Sequence, residues 1–185
     1  MNRLKQYYNN VILWELIQKG NYINSFEVPK LNKIVIHIIR KQTINHPLQL
    51  LPAKLALELI TGQNSTQTFA KQSIAAFKLQ KDIPVGAKVT LRGDIIYNFF
   101  EKLIIIILPR QREFKGLSLK GFDGHGNYQL GLENIFIFPE LESAYNIFQS
   151  FIPIGLNITL VTSSKSDSEA KLLLSNFQFP LNFKI

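Results

Sequence analysis

Cysteine is absent from this chain. Disulfides, thiolate metal sites and a cysteine nucleophile are therefore excluded, and a small secreted scaffold is not expected. Histidine is scarce: His37, His46 and His125 lie far apart, and no His-x-x-x-His or comparable spacing joins them to a metal. Long apolar runs are missing as well. The longest, Leu103–Pro109, falls far short of the ~20 residues a membrane span needs. Arg3 and Lys5 near the start are not followed by an apolar h-region, so no secretory signal is expected. Acids are few and scattered. Glu140 and Glu142 stand two apart, but nothing clusters around them as a nuclease metal site requires, and no Gly-x-Ser-x-Gly elbow marks a nucleophilic serine. These absences leave no catalytic residues, no metal and no cofactor to expect, and no membrane partner.

The cations that are present are unevenly placed. Lys71 to Lys120 holds ten Lys/Arg against four acids, which supplies +6 of the formal +8. Gly121 to Ser164 holds four acids and neither Lys nor Arg. Folding does not need such a division. It points to one surface that meets a polyanion and another that does not. Arginine supplies only five of the 21 cations, although its planar fork suits phosphate better than lysine does. Ile, Phe, Lys, Asn and Tyr together make 75 of the 185 residues. Their codons are AT-rich, which points to an AT-rich genome.

The length and a 46% apolar content suit one domain with a real core. Residues 3–17 read as an amphipathic helix with Leu4, Tyr8, Val11, Leu13, Trp14 and Ile17 on one side, ended by Gly20. Lys33–Ile39 reads as a strand. Pro47 to Ile60 reads as a helix stopped by Gly62, with Pro52 marking its first turn. Ser65–Thr68 and Ala87–Arg92 read as strands around a long loop holding Pro84 and Gly86. Ile104 to Ile107 alone suits a buried strand, but the length of Asp94–Leu108 and the spacing of Ile95, Ile96, Phe99, Leu103 and Ile106 favour a helix, ended by Pro109. Tyr128–Leu132 and Ile158–Ser163 are further strands. Ser166 and Glu169 form a capping box for a last helix through Leu172, Leu173 and Leu174. The sum is an α+β fold, a mainly antiparallel sheet with helices packed on one face and a long projecting loop.

Residues 70–86 are the first candidate site. Lys71, Lys78 and Lys81 supply attraction for phosphate, while Ile74, Phe77 and Leu79 can pack on sugar or base. The second is a basic surface. Lys88, Thr90 and Arg92 alternate on a strand and so share a face, and Arg110 and Arg112 follow the stop at Pro109. Gly121–Gly126 lacks the glycine order of a dinucleotide site. It reads as a glycine-supported turn that presents Asn127 and Tyr128.

Several stretches carry wording found together elsewhere. Ser73–Leu79 leads to Ile83–Gly93. Leu108-Pro109-Arg110 and Phe114–Ser118 follow, then Gly121–Tyr128 and Ile137–Glu140. Earlier in the chain stand Asn2–Lys5, Val28–Leu31, Lys33–Ile36 and Leu59–Gln63. In this order and spacing the chain resembles ribosomal protein five of the large subunit, nearly end to end. The resemblance implies an α+β RNA-binding domain over residues 1–185 that sits in the central protuberance. The implied partners are 5S rRNA, large-subunit rRNA, peptidyl-site tRNA and neighbouring ribosomal proteins, with neither catalysis nor homo-oligomers. It assigns tRNA contact to Lys71, Ser73, Ile74, Ala75, Phe77, Lys78 and Leu79, to which the charge of the same loop adds Lys81. It assigns rRNA contact to Lys30, Lys33, His37, Gln63, Lys88, Thr90, Arg92, Arg110, Arg112, Lys115, Ser118, Lys120, Asn127 and Tyr128.

The chain departs from that family at particular positions. His37 stands where an Asn thought to meet rRNA is usual, and His37–Lys41 replaces a glycine turn. Phe69, Gln72 and His125 stand where cations are usual, and Leu119 where proline is common. Three fewer cations flatten the salt dependence of RNA binding. The departures fit a reduced organellar ribosome whose protein acts more as a scaffold between proteins. The resemblance begins at Asn2, so no added presequence is expected. With the AT-rich composition this suggests an organelle-encoded protein, mitochondrial ahead of plastid, with an AT-rich bacterium as the competing origin. The acidic stretch Gly121–Ser164 would then face a neighbouring protein through Glu133, Glu140, Glu142, Phe136, Phe138, Tyr145 and Phe148.

Overall fold

The computed structural model describes residues 2–20, 22, 24–39, 50–148 and 155–182 of the chain. Seven helices, all among the described residues, are α1 (Arg3–Tyr7), α2 (Leu13–Lys19), α3 (Leu50–Thr61), α4 (Asp94–Lys102), α5 (Pro139–Glu142), α6 (Tyr145–Phe148) and α7 (Asp167–Asn176). The strands are β1 (Leu31–Ile39), β2 (Thr66–Phe69), β3 (Pro84–Leu91), β4 (Leu117–Ser118), β5 (Tyr128–Leu132), β6 (Leu156–Thr162) and β7 (Leu181–Asn182). Five of them form a mainly antiparallel sheet in the order β2-β3-β1-β6-β5, and β4 pairs in parallel with β7. The class is α+β, as the mix of strands and helices in the sequence predicts. The chain separates into two compact units. One comprises Met1–Ile34, Leu91–Leu130 and Thr159–Ile185, and the other Val35–Thr90 and Gly131–Ile158.

Strand burial follows the period of two. On β1, Ile34, Ile36 and Ile38 are buried while Val35 and His37 are half-buried. On β6, Leu156, Ile158 and Leu160 are buried while Asn157, Thr159 and Val161 are partly open. Tyr128, Leu130 and Leu132 are buried on β5, with Gln129 and Gly131 exposed. This is the alternation of strands covered on one side only. Val and Ile suit it because their branched Cβ packs well on a pleated surface.

The first unit is built round an aromatic cluster. Phe177 stacks on Tyr8 at 5.9 Å and meets Phe100 edge-on at 5.5 Å; Phe179 stacks on Phe100 and meets Tyr128. The Tyr8 hydroxyl donates to the Pro29 carbonyl at 3.0 Å, and burial raises its pKa to about 12. The N-terminal helix departs from the expected face. A π-helical turn, Tyr8–Ile12, joins α1 to α2, and the buried positions are Tyr8, Ile12 and Leu16. Trp14, expected inside, is 60% exposed, and Val11 is exposed as well. A π turn inserts a residue, so the apolar face rotates away from a 3.6-residue count. The same device follows α4: the π turn Leu103–Ile107 buries Ile107, and Ile95 and Ile106 lie exposed.

In the second unit α3 buries Leu50, Pro52, Ala53, Ala56, Leu57 and Ile60 and packs against α5. Pro52 stands in the first turn, where its missing N–H costs nothing. The expected start at Pro47 lies outside the described residues, as do Arg40 and Lys41. Gly62 ends α3 with φ +67°. Strand β3 begins at Pro84, so Pro84 and Gly86 belong to the strand rather than to the loop. Proline is tolerated at a strand's first residue. Gly86 is required because a Cβ there would lie 2.5 Å from the Ile38 carbonyl. Among the described residues no helix is long and apolar enough to cross a membrane, and no His, Asp and Glu gather as a metal site.

Candidate nucleic-acid interface

The connection between β2 and β3 is braced by its own backbone. Ala70 donates to Ile83 at 2.9 Å, and Asp82 donates to Ala70 at 3.0 Å. Ile74 and Leu79 then exchange two N–H···O bonds, 2.9 and 3.1 Å, across a 3₁₀ turn at Ala75–Phe77. Lys78 closes the turn in the left-handed region at φ 52°, and Ser73 Oγ accepts the Lys81 N–H at 3.0 Å. A hairpin within a hairpin results, rather than the unstructured loop that its length suggests. Lys71, Ser73, Ile74, Ala75, Phe77, Lys78 and Lys81 are all exposed, Phe77 by 67%, and Leu79 is half-buried. Phe69, absent from the sequence-based candidates, is also exposed, beside a register shift between Thr68 and Phe69. Cations and apolar side chains thus share one hydrogen-bonded tip.

Elsewhere in that unit Lys88 is exposed on β3, opposite Thr66, and the half-buried Thr90 follows at the same parity. Val89 and Leu91 point the other way and are buried. Gln63 is exposed and donates its Nε2 to the Thr90 carbonyl at 3.3 Å, so its amide is held over the strand. His37 is half-buried, with Nε2 3.3 Å from Asn157 Nδ2. Burial lowers its pKa below the ordinary histidine value. An unprotonated Nε2 is the form that accepts from the Asn157 amide.

In the first unit the Gly121–Gly126 segment is organised by two carboxylates. Asp123 Oδ1 accepts the His125 N–H at 2.8 Å and the Asn127 N–H at 3.1 Å, and Oδ2 accepts Asn127 Nδ2 at 2.7 Å. The Asn127 side chain, then the two backbone N–H groups, hold the Asp123 carboxyl below the ordinary carboxylate range. Asp167, in the first turn of α7, accepts from Gly124 and Gly126. Tyr128 is 2% exposed, and its hydroxyl donates to the Ser118 carbonyl at 2.8 Å. Burial raises its pKa to about 12. It supports the turn from below, with Phe122 edge-on to it at 4.8 Å. Lys120 and Ser118 are exposed and Asn127 is half-buried; Ser118 Oγ accepts the Lys120 N–H. Arg110, Arg112 and Lys115 are exposed on the segment after α4, Arg92 just beyond β3, and Lys30 before β1, while Lys33 is half-buried.

Two groups of cations differ in their ion pairs. Arg3, Lys5, Lys19, Lys54 and Lys165 pair with Glu101, Asp94, Glu15, Glu58 and Glu27. None of these five is a candidate for RNA contact. Lys30, Lys33, Lys71, Lys78, Lys81, Lys88, Arg92, Arg112, Lys115 and Lys120 have no carboxylate partner among the described residues. A cation without an internal partner keeps its charge available to a phosphate. The sequence candidates omit Phe122, Gln129 and Thr159, which line one cavity with Lys120 and Asn127. The parity of β5 and β6 is the signal that could have found the last two.

Comparison with known proteins shows the family. Residues 24–80 match the family described as "Ribosomal protein L5", and residues 84–181 match the C-terminus of the same ribosomal family. A relative in Reclinomonas americana, "Large ribosomal subunit protein uL5m", is 43% identical over 182 residues, covering 98% of this chain and 99% of the relative. Two family matches that leave little of the chain uncovered, and a relative aligned nearly end to end, show that this chain belongs to the L5 family of ribosomal proteins.

Proposed function

We propose that this chain binds the rRNA of the large subunit, 5S rRNA included, through its unpartnered cations, and that the β2–β3 tip meets the tRNA in the peptidyl site. As a member of a non-enzymatic family, the chain is a structural constituent of the large ribosomal subunit. The observation that carries the finer reading is the division of cations. Lys30, Lys88, Arg92, Arg112, Lys115 and Lys120, with the three lysines of the tip, lack a carboxylate partner among the described residues, whereas Arg3, Lys5, Lys19, Lys54 and Lys165 are paired. Along the tip, exposed Lys71, Lys78 and Lys81 flank exposed Ile74 and Phe77 in sequence. Cations beside apolar side chains suit a nucleic acid with exposed sugar or base faces. The AT-rich composition and the mitochondrial-type relative support an organellar ribosome, in the mitochondrial matrix ahead of the plastid.

The test is binding of the full chain to 5S rRNA and to a shuffled RNA of equal length across a salt titration. Tighter binding to 5S rRNA that survives moderate salt supports specific recognition. Equal binding, lost together as salt rises, rejects the 5S reading and leaves electrostatic adhesion alone. A second reading concerns the cation-free stretch. Phe136 and Tyr145 lie 5.0 Å apart, and Tyr145 and Ile147 are exposed without a nearby cation in the sequence. This suits a neighbouring protein rather than RNA. Crosslinks from 136–148 to RNA alone would sink it.

A further inference from the structure

A cavity of about 320 Å³ lies beside the glycine-rich turn, lined by Lys120, Phe122, Asn127, Tyr128, Gln129 and Thr159 among others. It falls at the lower end of the size range for small-ligand sites. We propose that it takes one unstacked nucleobase of an RNA partner, an assignment that rests on the rRNA reading above.

The turn does not offer a phosphate cradle. Such a cradle needs free backbone N–H groups converging on one point. Here the His125 and Asn127 N–H groups go to Asp123, and those of Gly124 and Gly126 go to Asp167. What is left free is side-chain chemistry. Gln129 and Thr159 stand on the neighbouring strands β5 and β6, at the parity opposite to buried Leu130 and Ile158. Neither side chain has a hydrogen-bond partner among the described residues. An amide supplies a donor and an acceptor side by side, the pattern that a base edge matches. Asn127 commits its Nδ2 to Asp123, which leaves its Oδ1 as a further acceptor.

The aromatic component is fixed in place. Phe122 packs edge-on against Tyr128, with centroids 4.8 Å apart, and the Lys171 ammonium stands 5.3 Å from its ring centroid. A ring held this way loses little freedom when a base stacks against it. Lys120, exposed at the rim and without a carboxylate partner among the described residues, serves the phosphate of the same nucleotide. Paired RNA keeps its bases stacked and cannot enter, so the cavity selects bulged or looped nucleotides.

The experiment titrates the full chain with three RNA hairpins at one salt concentration: one with a single-nucleotide bulge, one with an abasic residue at the bulge, and one fully paired. The four bases are tried in the bulge. The bulged hairpin should bind roughly ten-fold tighter than the other two, the scale of one stacked and hydrogen-bonded base. Gln129→Ala with Thr159→Val should remove most of that preference and leave binding to the paired hairpin unchanged. Both side chains are unpartnered, and retained binding to the paired hairpin reports that the variant is folded. Equal affinity for all three hairpins overturns the base pocket and leaves RNA binding standing. No binding to any hairpin overturns the rRNA reading and the pocket with it.

Discussion

Asp167 and Gly126 are 41 residues apart, and the Asp167 carboxylate accepts the Gly126 N–H at 2.9 Å. The same carboxylate accepts the Gly124 N–H at 3.1 Å. From the other side, the Gly126 carbonyl accepts from Thr162 Oγ1 at 2.7 Å. The turn is therefore set on the start of α7 and the end of β6 as well as on its own Asp123. Removing both acceptors in Asp167→Ala should cost about 2 kcal/mol, since charge-assisted bonds exceed the ordinary hydrogen bond. Asp167→Asn retains one acceptor oxygen and should cost less. Urea unfolding midpoints check the order; an unchanged midpoint for Asp167→Ala refutes it.

Gly126 also lacks room for a side chain. Its φ is +78°, and a Cβ would lie 2.2 Å from Ser164 Oγ and 3.0 Å from the Ser164 carbonyl. Gly126→Ala should destabilise by about 2 kcal/mol or more through left-handed strain and the clash together. Thermal unfolding measures it. Gly124, with φ +87° and open space around its Cβ position, should cost less on the same substitution because only the strain applies.

Asp123 predicts an acid-dependent component of stability. Its folded pKa is depressed, chiefly by the Asn127 side chain. A depressed carboxylate contributes stability that is full above its unfolded value, about 3.9, and fades as pH falls through the lower folded value. The stability difference between the native chain and Asp123→Asn should hold steady from neutral pH to about 4 and shrink in more acidic solution. Asn127→Ala should bring the Asp123 titration, followed by NMR, back toward the ordinary range. A difference that persists undiminished to the lowest pH at which the protein stays folded contradicts this account.

Paired and unpaired cations should separate in a salt titration. Each phosphate left without its cation lowers the log–log slope by about 0.7 to 0.9. Lys78→Ala with Lys81→Ala should lower the slope for RNA binding by roughly 1.5. Arg3→Ala with Lys5→Ala, whose charges are engaged by Glu101 and Asp94, should leave it nearly unchanged. In ribosomes, Lys71→Ala with Lys78→Ala should weaken tRNA retention while subunits still assemble. Normal tRNA occupancy with failed assembly is the opposite result.

Two phenylalanines should respond in contrary ways. Phe100 is fully buried between Phe177 and Phe179, and Phe100→Ala should cost about 4 kcal/mol. Phe77, largely exposed at the hairpin tip, should change stability by less than about 0.5 kcal/mol on the same substitution. Its loss should show in tRNA retention instead. Comparable destabilisation by both variants argues that the tip is packed rather than presented.

What the sequence by itself determined is what neighbours in the chain can decide. Ser166 Oγ caps α7 by accepting the Glu169 N–H, a bond spanning three residues. Its reciprocal falls one residue early, Glu169 accepting from Lys165 rather than from Ser166. Gly62 ends α3, and the alternation of β1 and β5 separates core from open side, because a backbone turn and a pleat act over a few residues. The unequal spread of charge is equally legible, since it needs only counting. Tertiary structure alone decided the remainder. Two π turns rotated helix faces and left Trp14 and Ile106 outside, a consequence of packing that no 3.6-residue count contains. The pairing of β4 with β7 involves two residues on each side, too few for a periodic signal. Which cations stay free depends on where the acids come to lie, and Arg3 meets Glu101 across 98 positions of sequence. The cavity at Phe122 needs β5, β6 and the glycine turn together, held by Asp167 on a helix that begins some 40 residues later. Local propensity acts through bonds a few residues long, whereas a binding surface is made by elements that meet only when the chain has folded.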